Sequence, residues 1–186
     1  QTKNELTIPL SAPGSAGMEA AFVNLLECGD KVIVCQNGVF GGRMKENVER
    51  CGATAVMVQD RWGDPVDPEK VAEAFAVNPQ ASLLAFVHSE TSTGVRSDAK
   101  TLCGIAKAND ALVVVDTVTT LGGIDLRVDI EITLASRRAG ALSIRRVILV
   151  FCLDQGPCLL PVVGVLAMPL DHIADTFVKL AARWNA

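Results

Sequence analysis

The sequence predicts an α/β fold with a mostly parallel sheet and flanking helices, and three observations predict it. Short β-branched runs such as KVIVC (31–35), SLLAFV (82–87) and ALVVVD (111–116) are apolar almost without interruption. Runs of that kind suit strands covered on both faces, as in parallel sheets. Longer segments with helical patterning and recognisable end signals lie between them, and strand–helix–strand order is the mark of α/β architecture. Finally, 186 residues with 49% hydrophobic and 20% charged side chains can build a core without metal or disulfide staples.

Taken in order, Thr7–Ser11 reads as a first strand and Met18–Leu26 as a helix following Gly14-Ser15. Lys31–Cys35 is the next strand, and Gly42–Glu49 a helix stopped at Cys51-Gly52. Thr54–Val58 follows as a strand. Pro68–Phe75 is a helix with Asp67 as N-cap and Pro68 at its first position. Ser82–Val87 is a strand, Asp98–Ala108 a helix with Ser97 available as a cap, and Ala111–Asp116 a strand. In such sheets ligands collect at the carboxyl ends of the strands, so the loops after residues 11, 35, 87 and 116 are where function belongs.

Each of these loops offers chemistry. Gly14-Ser15-Ala16-Gly17 opens a helix, where small residues and the positive helix end can receive a phosphate, or simply make a tight turn. It has neither the Walker lysine nor the spacing of a dinucleotide fingerprint. Phe40 stands among glycines in NGVFGGR, placed to stack on a planar ring or to pack over the sheet edge. His88-Ser89-Glu90-Thr91-Ser92-Thr93 brings a polar run to a strand end, which fits a hydrogen-bonding site or a solvated turn. Asp116 closes an apolar strand, where a carboxylate needs a cationic or donor partner, or caps the next turn.

Composition excludes several classes. The net charge of −4 argues against a general nucleic-acid binder. The six cysteines show no C-x-x-C pair and only two histidines accompany them, so no metal site is expected; most read as buried small hydrophobes of a reducing compartment. Residues 147–170 are interrupted by Asp154, Gln155 and three prolines, which rules against a membrane span. A cytoplasmic location is expected, with peroxisome or mitochondrion as eukaryotic alternatives.

Four strings in order, GSAGMEAAFVN, NGVFGGR, HSETSTGV and VVVDTVTTLGG, resemble the large domain of class V aminotransferases, the fold-type-I pyridoxal-phosphate enzymes. The alanine–glyoxylate, serine–pyruvate and serine–glyoxylate branch is the most similar. The resemblance covers roughly residues 9–129 and implies a partial large domain over residues 1–129. It implies that Gly14, Ser15 and Ala16 bind the cofactor phosphate and that Phe40 stacks on the pyridine ring. It also implies that Thr91 bonds the 3-oxygen side, with Glu90 supporting its loop. Asp116 would pair with the pyridine nitrogen and Val118 would pack on the opposite ring face. The implied cofactor is pyridoxal 5'-phosphate, the substrates a small amino acid and a 2-oxo acid, and the assembly a homodimer. Amino transfer from alanine or serine to glyoxylate or pyruvate is the implied reaction. A cysteine desulfurase is disfavoured, because Phe40 replaces the histidine expected over the ring.

The catalytic residue is not assigned. No lysine occurs between Lys107 and Lys179, and the family's Ser-Gly-x-Gln-Lys string is absent. Lys179 lies too far along the chain to be its counterpart. Turnover by this chain is therefore expected to be impaired or absent.

Residues 1–129 hold 11 basic and 17 acidic side chains, a balance of −6, whereas residues 130–186 hold 6 and 4, a balance of +2. Lysine nearly disappears in the second segment, and the resemblance stops at the same place. The expectation is an atypical tail over residues 130–186, arising from a frame shift or an alternative join. A non-catalytic cofactor-binding or dimerisation module of the same fold, and an unrelated α/β phosphate or nucleotide binder, are the competing readings.

Overall fold

The computed structural model describes residues 12–124, 147–150 and 165–166. The predicted first strand, Thr7–Ser11, lies outside them, as do Lys179, Cys152, Cys158 and most of the tail.

Four helices and six strands are described. They are α1 (Gly14–Leu25), β1 (Lys31–Gln36), α2 (Val39–Arg50), β2 (Thr54–Gln59), α3 (Pro68–Val77), β3 (Leu83–Val87), α4 (Ala99–Ala108), β4 (Leu112–Asp116), β5 (Val147–Val150) and β6 (Val165–Leu166). The strands form one sheet in the order β2-β1-β3-β4-β5-β6. All neighbours run parallel except β6, which is antiparallel to β5. The α/β expectation holds, and each strand predicted within the described residues starts or ends within one residue of its observed position.

Alternation along the strands sends successive side chains to opposite faces. Ile33, Cys35, Leu84, Phe86, Val113 and Val115 pack with Val71, Phe75, Leu102 and Ala106 of α3 and α4. Val32, Val34, Leu83, Ala85, Val87 and Val114 pack with Met18, Phe22, Met44 and Val48 of α1 and α2. Both faces are thus covered, which explains why the strands carry no polar alternation. Asp116 has the parity of Val114 and falls on the α1/α2 side. His88 has the parity of Phe86 and falls on the other.

Helix starts differ from the sequence expectations in three places. At α3 the local signals suffice: Asp67 accepts from the Glu69 N–H and Pro68 opens the helix. At α4 the cap is Asp98 rather than Ser97. Asp98 accepts from the Thr101 N–H at 3.2 Å and from the Thr101 hydroxyl at 2.7 Å. The Ser97 hydroxyl instead accepts from the Val66 N–H, 31 residues away in sequence. Those bonds from Thr101 hold the Asp98 carboxyl below its usual range. Replacing Asp98 by alanine should cost about 1 kcal/mol at pH 7. Because its pKa is lowered on folding, that cost should be full above the ordinary carboxylate pKa and shrink as the pH falls below it, through the lowered value of the folded chain, as denaturant titrations at several pH values would measure.

Helix α1 begins at Gly14, four residues earlier than predicted, and α2 at Val39, three earlier. Both carry glycines in their first turns, which weaken the local signal. The buried cysteines expected from apolar runs are found at Cys35, Cys51 and Cys103, whereas Cys28 is exposed. Burial pushes the Cys35 thiol up, away from thiolate chemistry.

Candidate functional site

Parallel strands bring their carboxyl ends to one edge of the sheet. The turns after Gln36, Val87 and Asp116 therefore meet there. Helix α1 precedes β1, so its last turn sits near the amino end of that strand. Its 12 residues, spanning about 18 Å, return Gly14 and Ser15 to the carboxyl edge. The Arg43 guanidinium confirms the placement: it donates to the Ser15 hydroxyl at 3.1 Å from the start of α2.

At the N-terminus of α1, Pro13 has no side chain to cap the helix. Its carbonyl accepts from the Ala16 N–H at 2.9 Å and more weakly from the Gly17 N–H at 3.4 Å. Ala16 thus spends its N–H within the turn. Gly14 and Ser15 are the residues whose N–H groups face away from the helix.

Phe40 lies in the first turn of α2 and not on a loop, which corrects the sequence expectation. Its half-buried ring packs against the core of the α1/α2 face, and the Arg43 guanidinium stands 5.0 Å from the ring centroid. Of the alternatives offered by the sequence, the packing one is what the described residues display.

The polar run after β3 folds back on itself. Ser89 and Arg96 form an antiparallel bridge, the Glu90 N–H donates to the Val95 carbonyl, and Gly94 takes a φ of +75° to close the turn. Glu90 is completely buried. One carboxylate oxygen accepts from the Phe40 N–H at 3.1 Å. The other accepts from the Ser92 N–H at 3.1 Å and from its hydroxyl at 2.7 Å. Thr91, the residue singled out beside it, is exposed on the same turn.

Asp116 is 5% exposed. Its Oδ1 accepts from the Val118 N–H at 3.0 Å, so it does cap the following turn. Val118 is half-buried there. Burial pushes the Asp116 carboxyl up to about 6; the Val118 N–H opposes this rise and the nearby Glu90 charge adds to it. Beside it, the buried Thr117 hydroxyl has no hydrogen-bond partner among the described residues. His88 is buried, and its Nδ1 lies 3.0 Å from the Thr120 hydroxyl, as a satisfied strand-end histidine. The Thr119 hydroxyl donates to the Ser89 carbonyl, tying the third loop to the fourth.

The loops thus bring the starts of α1 and α2, the Glu90 turn and Asp116 to one edge. Sequence reasoning missed Arg43, Ser92 and Gly38, for their roles appear only across the loops. A cavity of about 520 Å³ lined by His88, Arg96, Ser97, Asp98, Lys100 and Ile124 lies at the start of α4. It contains none of the residues that the resemblance assigns to the cofactor, only His88 from the polar run, and sits toward the α3/α4 side. Among the described residues no helix is long and apolar enough to cross a membrane, and no group of three His, Cys, Asp or Glu side chains could hold a metal ion.

The aminotransferase class-V family profile matches residues 2–132. A protein named soluble hydrogenase, small subunit, from Synechococcus sp. is 38% identical over 133 residues, covering 69% of this chain and 34% of that protein. The (S)-ureidoglycine–glyoxylate transaminase of Bacillus subtilis is 38% identical over 130 residues, covering 69% of this chain and 31% of its own length. Among solved structures, an alanine–glyoxylate aminotransferase from Nostoc sp. superposes with a TM-score of 0.77 at 30% identity, over 95% of this chain and 43% of that one. The chain spans about one third of the length of the curated relatives it matches. With the profile covering most of the chain and the Nostoc structure superposing on nearly all of it, the chain belongs to the class-V aminotransferase family.

Proposed function

We propose that residues 12–124 are the cofactor-holding part of a pyridoxal-phosphate-dependent aminotransferase. The supporting observation is the buried Asp116 at the carboxyl end of β4, on the same sheet face as Phe40 and the start of α1. The donor set fits the group. Gly14 and Ser15 offer N–H groups and a hydroxyl for a phosphate, with Arg43 beside them. Phe40 offers a ring face, and Asp116 an anion whose burial calls for a cationic partner. Thr91 and Val118 would complete the contacts to the ring.

When bound, pyridoxal phosphate supplies an electron-accepting ring. The chain's own residues hold the phosphate end, present one aromatic surface, and keep a negative charge at Asp116 where a protonated ring nitrogen would sit. The amino donor is read as alanine or serine and the acceptor as glyoxylate or pyruvate; the names of relatives support alanine and glyoxylate. A homodimer is part of the same reading. The family's cofactor-linking lysine has no counterpart between Lys107 and Lys179, so binding without turnover is the activity proposed for this chain itself.

Titration with pyridoxal 5'-phosphate tests this. Saturable binding is expected, with no covalent adduct at Lys107 or Lys179 after borohydride treatment. Phe40→Ala should weaken binding about two- to tenfold, the range of an aromatic stacking contact. No saturable binding, or binding indifferent to Phe40, would count against the site.

The tail over residues 130–186 is proposed to be a frame-shifted or alternatively joined continuation. The family profile stops at residue 132, close to the change in charge and lysine usage. The other two reading frames of the gene decide it: a Ser-Gly-x-Gln-Lys-like string is expected in one of them, and its absence from both refutes the idea.

A further inference from the structure

We infer that Glu90 and Ser92 are a positioning pair that caps α2 from the loop after β3 and thereby fixes the Phe40 ring at the proposed cofactor site. The inference deepens the cofactor reading above and rests on it.

Helix α2 cannot cap itself. Its N-cap is Gly38, no acidic residue lies in its first turn, and no side chain of its own accepts from its leading N–H groups. Those groups are met from about 50 residues away. The Val39 N–H donates to the Ser92 hydroxyl at 3.1 Å, and the Phe40 N–H to Glu90 Oε2 at 3.1 Å. The Ser92 hydroxyl in turn donates to Glu90 Oε1 at 2.7 Å. The hydroxyl thus accepts once and donates once, and both carboxylate oxygens accept, as in a helix cap built from a distant segment.

Three features show that this contact is built closely. Glu90 is wholly buried, yet no ion pair reaches it among the described residues. Its charge is held by N–H and O–H donors and by the positive end of a 12-residue helix. Gly38 makes the approach possible: a Cβ there would collide with Glu90 Cγ and Cδ and lie 2.6 Å from the Ser92 hydroxyl oxygen. The backbone of Gly38 is extended, so close approach and not φ selects glycine. Finally, the other end of Phe40 is also fixed, its ring lying on the α1/α2 core under Arg43. With the backbone N–H and the ring both held, Phe40 is fixed at the start of α2, on the sheet face that Asp116 also shares. The Glu90 charge is also felt at Asp116, so one buried carboxylate borders both proposed ring contacts.

The test pairs a ligand-free readout with a ligand-bound one, on the whole chain. Amide hydrogen exchange of Val39 and Phe40 is measured without ligand for wild type, Ser92→Ala, Ser92→Thr and Glu90→Gln. Ser92→Ala should speed Val39 exchange about tenfold. Glu90→Gln keeps an oxygen for the Phe40 N–H but loses the charge and sets an amide NH2 against the Ser92 N–H, so it should speed Phe40 exchange by a smaller factor. Ser92→Thr, which keeps the hydroxyl, should restore protection. Pyridoxal 5'-phosphate is then added. The induced circular dichroism of the bound ring should fall in Ser92→Ala and recover in Ser92→Thr, with unchanged melting of the rest of the chain.

Amide rates equal to wild type in both Ser92→Ala and Glu90→Gln would overturn the clamp. Faster amides with unchanged affinity and dichroism would overturn its positioning role. A wild-type chain with protected amides but no cofactor binding would instead overturn the cofactor reading, and with it the purpose assigned to the pair. Ser92 is exposed, so its variants keep the test open should Glu90→Gln fail to fold.

Discussion

Asp116→Asn is expected to stabilise the ligand-free chain at pH 7 and to weaken its hold on a cationic ring nitrogen. Burial raises the Asp116 carboxyl from 3.8 to about 6. In that window the folded chain keeps a proton that the unfolded chain has released. Stability therefore falls as the pH rises from about 4 to about 6, and the full cost persists above it. At about 1.4 kcal/mol per unit, the cost at pH 7 is about 3 kcal/mol. Asparagine stays neutral and retains an oxygen for the Val118 N–H. The gain should approach about 3 kcal/mol at pH 7 and disappear below pH 4, in urea titrations across that range. An equal gain at every pH would show that charge burial is not the cause. The same variant should bind pyridoxal 5'-phosphate about ten- to a hundredfold more weakly, the range for hydrogen bonds to charged groups. A residue that costs stability when empty and contributes affinity when paired is what a binding site is expected to contain.

Gly41→Ala should be among the most damaging single-methyl additions in the molecule. A Cβ at Gly41 would lie 2.5 Å from the Cys35 carbonyl oxygen and 2.7 Å from Gln36 Cα. Both are backbone atoms of β1, which is held by β2 on one side and β3 on the other. The strand cannot yield, so α2 must lift, taking Met44 and Val48 out of the core and Phe40 away from its seat. Overpacking of this kind costs roughly 1–3 kcal/mol, and more where backbone is the obstacle. The improved helix propensity of alanine returns only about 1 kcal/mol. Gly104 in α4 is the control, because a Cβ there meets nothing within 4 Å. Gly104→Ala should raise the melting temperature while Gly41→Ala lowers it. Shifts of the same sign would contradict the packing argument.

The sheet was legible because buried parallel strands write themselves as apolar runs, and four of them agree with the structure to within a residue. Helix starts were legible only where the cap is local. Asp67 and Pro68 announce α3, but the acceptors for α2 lie on a turn about 50 residues further on, and no local pattern marks them. Ser97 was misread for a related reason, since its hydroxyl serves Val66 in another loop. Asp116 and Phe40 could be singled out from their settings, a carboxylate ending an apolar strand and an aromatic among glycines. Arg43 and Ser92 could not, as an exposed arginine and a serine in a polar run look ordinary until the chain brings them to their partners. The strands β5 and β6 carry no such context, since Asp154, Gln155 and three prolines break up residues 147–170 and leave no strand–helix alternation in the sequence around them.

The division of the core has a consequence for how this chain tolerates change. Adjacent residues such as Val34 and Cys35 answer to different helix pairs, and only the α1/α2 side carries Phe40 and Asp116. A cavity opened at Phe75 or Leu102 would weaken the whole molecule but leave the seating of α2 to the sheet between them. One opened at Met44 or Phe22 would disturb the site directly. Sequence drift should therefore be filtered by stability alone on one side of the sheet, and by stability and geometry together on the other.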